Sequence, residues 1–231
     1  MTLARRYVPA YNPMPSKLRQ LCACLAILFV SFPLFAAGPT VERTAALSAP
    51  AASGDLKKAV EDRGYRVTLD DGWTADFWFT RALAAAGGES PGALYPELAN
   101  GEFIAVVNFA KGFSDFRGQP IQSGLYTLRY QYLPQDANHM GVSPNPDFLL
   151  AIPIADDTTP AEPIPFKRLV ALSAKSSGTT HPAVIAMAAA GTPATVSKDD
   201  QGMTVFTVEV PSSTPGKTQK LGIIVKGQAT Q

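Results

Sequence analysis

Beyond residue 37 the chain holds no cysteine, because its two cysteines, Cys22 and Cys24, both lie near the N-terminus. Disulfides, zinc thiolate sites and thiol nucleophiles are therefore excluded from everything that follows. Histidine is nearly as scarce: His139 and His181 are the whole complement. Any catalytic triad or metal centre has only those two imidazoles to draw on. The chain has no Asn-x-Ser/Thr sequon and no serine followed by lysine three positions later. The Ser-x-x-Lys signature of one class of serine hydrolases is thus missing. Acidic residues are missing from the first 37 positions, where Arg5, Arg6, Lys17 and Arg19 carry all the charge.

Those four cations precede an apolar run of 15 residues, Leu21 to Phe35, which ends in Ala36, Ala37 and Gly38. A basic segment, a short apolar segment and a small-residue exit make a secretory signal peptide over 1–37. The run is short of the roughly 20 residues a spanning helix needs, so cleavage after Ala36 or Ala37 is expected. Retention as an uncleaved anchor is the alternative. Leu21-Cys22-Ala23-Cys24 has the look of a lipobox, but most of the apolar run lies after it. That order argues against acylation of Cys24. Removing the signal takes four cations and no acid, which turns the net charge of +1 into −3 for the remaining 194 residues. No basic stripe is present, so nucleic acid is not an expected partner.

Residues 38–54, rich in Ala, Pro, Ser and Thr, are expected to form a flexible linker. A short helix is predicted over Asp55 to Arg63, with Ser53 or Asp55 as cap and Gly64 as stop. From there the period changes to two. Tyr65, Val67 and Leu69 alternate with Arg66 and Thr68, Asp71-Gly72 makes a turn, and Ala75, Phe77 and Phe79 continue the alternation. Further strands are predicted at Phe103–Phe109, Leu125–Tyr132, Phe148–Ile154, Ala183–Met187, Met203–Val210 and Leu221–Lys226. The clearest is Leu125–Tyr132, where Tyr126, Leu128, Tyr130 and Tyr132 share one face and Thr127, Arg129 and Gln131 the other. A second helix is predicted to start at Pro165 and stop at Gly178. The expected fold is all-β, mainly an antiparallel β-sandwich with one or two short helices, in a single domain over 55–231.

Gly216-Lys217-Thr218 copies the end of a P-loop, but Pro211 stands where the first glycine belongs and a strand follows instead of a helix. Pro215-Gly216 reads as a hairpin turn. The adjacent Asp pairs at 70–71, 156–157 and 199–200 fall where turns are expected, and Asp favours turns by bonding its own backbone. What remains is a set of polar segments between strands that carries Asp115, Asp136, Asn138, His139, Asp147 and His181. Loops gather at the two ends of a sandwich. Two imidazoles with a carboxylate from Asp115, Asp136 or Asp147 would suit a divalent metal. Loop-tying to backbone groups is the plainer use of the same residues. A blue-copper centre is ruled out for lack of a thiolate. Trp73, Trp78 and the tyrosine strand offer rings that could stack on sugars or fill a core.

Between its turns the chain carries Ser114-Asp115-Phe116-Arg117-Gly118-Gln119, Ser123-Gly124-Leu125-Tyr126-Thr127-Leu128-Arg129-Tyr130, Asn138-His139-Met140-Gly141-Val142, Asp147-Phe148-Leu149-Leu150 and Ser177-Gly178-Thr179-Thr180-His181-Pro182. Together they resemble an exported bacterial β-sandwich family of unknown function. The resemblance covers roughly 56–226, a span suited to one domain. It implies export and a single domain and brings no activity with it.

Two functional expectations follow. The first is an exported, periplasmic or extracellular, non-catalytic binding or structural module of the bacterial envelope, with an envelope polysaccharide or protein as partner and no membrane span after cleavage. The second is a metal-dependent protein centred on His139 and His181. Mass spectrometry of the protein from an envelope fraction should show a mature N-terminus at residue 37 or 38. An intact N-terminus or a diacylglycerol on Cys24 would contradict the cleavage reading.

Overall fold

The structure, a computed structural model, describes residues 38–84, 87–88, 90–133 and 143–227. Alternating apolar residues build ten strands that join in one antiparallel sheet. These are β1 (Thr40–Arg43), β2 (Tyr65–Thr68), β3 (Thr74–Phe79), β4 (Phe103–Phe109), β7 (Gly124–Tyr132), β8 (Asp147–Pro153), β9 (Val184–Ala188), β10 (Thr195–Lys198), β11 (Thr204–Pro211) and β12 (Thr218–Lys226). Two more, β5 (Phe113–Ser114) and β6 (Pro120–Ile121), form a small separate hairpin. The order across the large sheet is β1-β2-β3-β4-β7-β8-β9-β12-β11-β10. Its two edges, β1 and β10, approach each other, so the sheet nearly closes on itself. The expected all-β antiparallel fold with short helices is present, and the two halves of the sandwich belong to one continuous sheet.

Closure follows from alternation, since one side-chain set of every strand must leave water together. Phe77, Val107, Leu128, Leu149, Met187, Phe206 and Ile223 all point inward and are buried. The four β7 positions that share a face go inward as expected, with Tyr126, Leu128 and Tyr130 in this core and Tyr132 packed at its margin. Phe77, Phe79 and Phe206 meet within 5.4–6.2 Å between ring centroids in this core.

The outer face is covered as well. Helix α1 (Gly54–Ala59) places Leu56 with Leu47, Ala52 and Val60 over Trp78, Phe103 and Val106. Its cap is Ser53, whose Oγ accepts from the Leu56 N–H at 3.2 Å. It ends earlier than predicted because Val60 leaves the helix to bridge Thr80. Helix α2 (Phe166–Ser177) sets Leu169 against Phe148, Leu150, Ile152 and Val184, and stops at Gly178, which takes φ 64°.

Residues 38–54 are not a flexible linker. Thr40–Arg43 pairs with β2 in the register Val41↔Val67. The Ala45 carbonyl receives the Trp78 indole N–H at 2.9 Å, while Leu47 and Ala52 are buried. Composition misled here, because a single valine and a single leucine suffice when a strand edge and an apolar patch await them. Residues 38–54 therefore pack with the rest of the described domain. Among the described residues no helix is long and apolar enough to cross a membrane.

Both barrel ends are plugged. At one, Leu83, Tyr95 and Leu98 fold into the core from the β3–β4 connection. The ladder between β9 and β12 has only two residue pairs there, Gly222↔Ala188 and Ile223↔Met187. Tyr95 extends it: its hydroxyl donates to the Ala188 carbonyl and accepts from the Gly222 N–H at 2.8 Å. Gly222 must be glycine, since a Cβ would stand 2.5 Å from the Ala188 oxygen. At the other end β5 and β6 close the opening with Phe113 and Ile121.

Burial pushes the Tyr95 phenol up to about 12, and burial with the nearby Asp147 carboxylate also raises Tyr130. Unfolded tyrosine ionises near pH 10, so below that pH both states stay protonated and the stabilisation is complete. As pH rises further, the unfolded chain loses these protons first, and stability should fall between about pH 10 and 12. Tyr95→Phe should flatten that slope and, at neutral pH, cost about 1–3 kcal/mol by stranding the Gly222 N–H. Urea titrations across that pH range measure both effects.

Candidate functional site

The described residues among those expected to hold a metal are distributed between the two ends of the barrel. Asp136 and His139 lie outside the described residues. Asp115 is fully buried beside the β5–β6 hairpin. Its Oδ1 accepts from the Arg117 and Gln119 N–H groups at 3.0 and 2.8 Å, and its Oδ2 from Gln119 Nε2 at 2.7 Å. Arg117 Nη2 and Gln119 Nε2 also donate to the Pro182 carbonyl, at 2.7 and 3.4 Å. This stitches the Asp115 turn to the His181-Pro182 segment. The His181 carbonyl accepts from Ser177 Oγ at 2.6 Å, and the residue itself is exposed.

Asp147 opens β8 at the opposite end. Its Oδ2 accepts from the Leu94 N–H at 2.8 Å, and its Oδ1 from the Tyr95 N–H at 3.0 Å and the Tyr130 hydroxyl at 2.6 Å. In the register Leu150↔Val184, His181 falls level with Pro153. Six residues of strand, about 20 Å, therefore separate it from Asp147. The structure brings Asp115 and His181 to one end and leaves Asp147 at the other, so these three do not form one ligand set. Among the described residues no group of three His, Cys, Asp or Glu is arranged to hold a metal ion.

The most constrained polar group is Arg129, which is completely buried although it lies on the outward face of β7. All five of its N–H donors are used. Nε and Nη2 hold the two Asp157 carboxylate oxygens at 2.8 and 2.7 Å, and Nη2 also reaches the Thr159 carbonyl at 3.0 Å. Nη1 reaches the Gly101 and Glu162 carbonyls at 3.0 and 2.8 Å. Thr127 Oγ1 adds a 2.6 Å bond to Asp157. The segment Asp157–Glu162 is thereby drawn over the polar face of β7.

Of the three Asp pairs read as turns, 70–71 and 199–200 are turns: Asp71 accepts from the Trp73 N–H, and Asp199 from the Gln201 and Met203 N–H groups. The 156–157 pair is not. Asp157 is the partner of Arg129, which sequence reasoning missed because nothing local links positions 28 apart. A charged residue inside the strongest alternation of the chain was the one available signal.

The pinned segment forms one wall of a surface groove of about 700 Å³. Lys58 and Ala59 of α1 and the stretch Thr80–Ala82 form the other walls, and Glu102 and Phe103 lie at its base. Glu102 is buried, with Oε2 accepting from the Ala99 N–H at 3.0 Å and Oε1 from the Ala84 N–H. Here too a carboxylate ties backbone. The P-loop look-alike is the β11–β12 turn, where the Lys217 N–H bonds the Thr214 carbonyl and Gly216 takes φ 73°. No family model matches the chain, and neither a curated protein nor a solved structure is significantly similar to it.

Arg129→Met should cost about 3–5 kcal/mol, because it leaves the Asp157 charge buried without its partner. Replacing both residues, as Arg129→Met with Asp157→Leu, should recover much of that loss. Chemical denaturation of the two variants distinguishes an essential pair from a dispensable one.

Proposed function

We propose that this chain is exported and acts in the bacterial envelope as a non-catalytic binding module. One observation carries the reading. Asp115, Asp147, Asp157 and Glu102, all buried, use their carboxylates to hold backbone amides or the Arg129 pin, not to face one another in a cavity. Charges used this way make a rigid support, and rigid all-β supports carry binding sites on loops and at barrel mouths. The basic N-terminal segment followed by the apolar run Leu21 to Phe35, the absence of an Asn-x-Ser/Thr sequon and the resemblance of the chain's loop words to exported proteins support the envelope setting.

The ligand is an envelope polysaccharide or protein. The purified chain should sediment with isolated envelope material and leave that material chemically unchanged, as read by chromatography and mass spectrometry of the supernatant. Release of fragments would place the protein among enzymes. Failure to sediment with any envelope fraction would remove the envelope-binding role.

A further inference from the structure

At the barrel end closed by β5 and β6, two cavities share an aromatic partition. One, of about 450 Å³, is bounded by Leu69, Asp71, Trp73, Phe113, Val225 and Lys226. The other, of about 410 Å³, reaches Trp73 and Phe113 along Lys111 and Gln122. The two rings stand 5.9 Å apart between centroids, both pack on Phe109, and both line each cavity.

Trp73 differs from the other candidate rings. Trp78 is only 7% exposed and lies beneath α1, and Tyr126 and Tyr130 are buried in the barrel. Trp73 is only half-buried. Its indole N–H is bound by the Gly112 carbonyl at 2.8 Å. Gly112 takes φ 79°, and a Cβ there would meet the Ile121 oxygen at 2.7 Å, so only glycine presents that carbonyl at this point. With its donor occupied, the ring offers a face and not a hydrogen bond.

At the mouth of the first cavity the two charged groups are matched. Lys226 Nζ meets Asp71 Oδ2 at 2.7 Å, with the two side chains 51% and 45% exposed. The Lys226 ammonium keeps the Asp71 carboxyl below the usual carboxylate range, so the pair stays ionised and sums to zero. An anion or a cation would have to compete with that pair. A wholly apolar ligand would cover it without satisfying it. A neutral ligand with hydroxyls along its edge and a C–H face suits both features, because it can bond donor and acceptor while its face lies on the ring.

We propose that the cavities around Trp73 form a subsite for a neutral sugar ring of a polysaccharide, its C–H face on Trp73 and its hydroxyls on Asp71 and Lys226. This rests on the binding-module reading and names the ligand class. Pyranose rings have both the apolar face and the equatorial hydroxyls that the geometry requires. The cavity on the far side of the partition gives room for a neighbouring unit of the same chain.

The protein has two tryptophans, and only Trp73 lies at a cavity lined by these charges, so intrinsic fluorescence reports on the subsite. Cellohexaose and chitohexaose serve as neutral probes, an oligogalacturonate as the anionic one and a proline-rich peptide as the competing polymer. At least one neutral oligosaccharide should shift the emission saturably, with Kd on the order of 1 mM for a single stacking ring. Trp73→Ala, and separately Asp71→Ala with Lys226→Ala, should each weaken that binding about tenfold or more. Because Asp71→Ala also removes the acceptor of the Trp73 backbone N–H, Lys226→Ala alone, which leaves that bond intact, remains decisive if Trp73→Ala does not fold. The proposal is overturned if neither neutral oligosaccharide binds, if binding survives these changes in folded protein, or if the anion or the peptide binds more tightly. Loss of oligosaccharide binding alongside intact sedimentation with envelope material would reject the sugar subsite and leave the binding module standing.

Discussion

Arg129 sits on a strand whose inner face fills the barrel, yet its own side chain is as inaccessible as any core leucine. Burying a guanidinium costs several kcal/mol unless each donor finds an acceptor, and here five donors find one carboxylate and three carbonyls. That requirement determines the path of Asp157–Glu162, because no other course delivers the Thr159 and Glu162 oxygens to one planar fork. It also connects this segment to Gly101, where a Cβ would collide with the Ile164 carbonyl at 2.3 Å. The outer layer between β8 and α2 and the wall of the large groove both depend on this contact.

The same economy recurs at each end of the barrel. Asp147 gathers the Leu94–Tyr95 backbone and the Tyr130 hydroxyl, and Tyr95 in turn spans the short ladder between β9 and β12. Asp115 organises its own turn, whose Arg117 and Gln119 then hold the chain entering β9. A protein with no disulfide beyond residue 37 must anchor its long connections by other means. Buried carboxylates accepting backbone N–H groups do that with bonds stronger than neutral ones. The half-buried Trp73 and its ion pair are a place where polar groups meet an indole ring and open space together.

Much of the barrel was legible in residue order. The alternation from Tyr126 to Tyr132 chose the correct inner face, and the strands around Phe77, Val107, Leu149, Met187, Phe206 and Ile223 lie close to where period and turn residues put them. Gly178 and Ser53 performed as stop and cap. The short edge strands at Thr40–Arg43 and Thr195–Lys198 were not legible. Four residues with one apolar side chain hold too little pattern, and their strand character comes from the neighbour that accepts them. The site was less legible still. Asp115 and Asp147 could be picked out as special residues, but their role depends on which amides lie beside them.

Local chemistry alone decided the class of this protein: no thiol chemistry beyond residue 37, two imidazoles at most, period-two runs separated by Gly and Pro, and a nearly balanced charge. Those properties follow from residue type and spacing, which need no third dimension. The tertiary structure decided the rest. That Asp157 is a buried counter-ion and Asp71 a surface one, and that Trp78 is core while Trp73 faces two cavities, cannot be read from neighbours in the chain. Each depends on residues 28 to 155 positions away, brought to hydrogen-bonding distance only when the sheet closes.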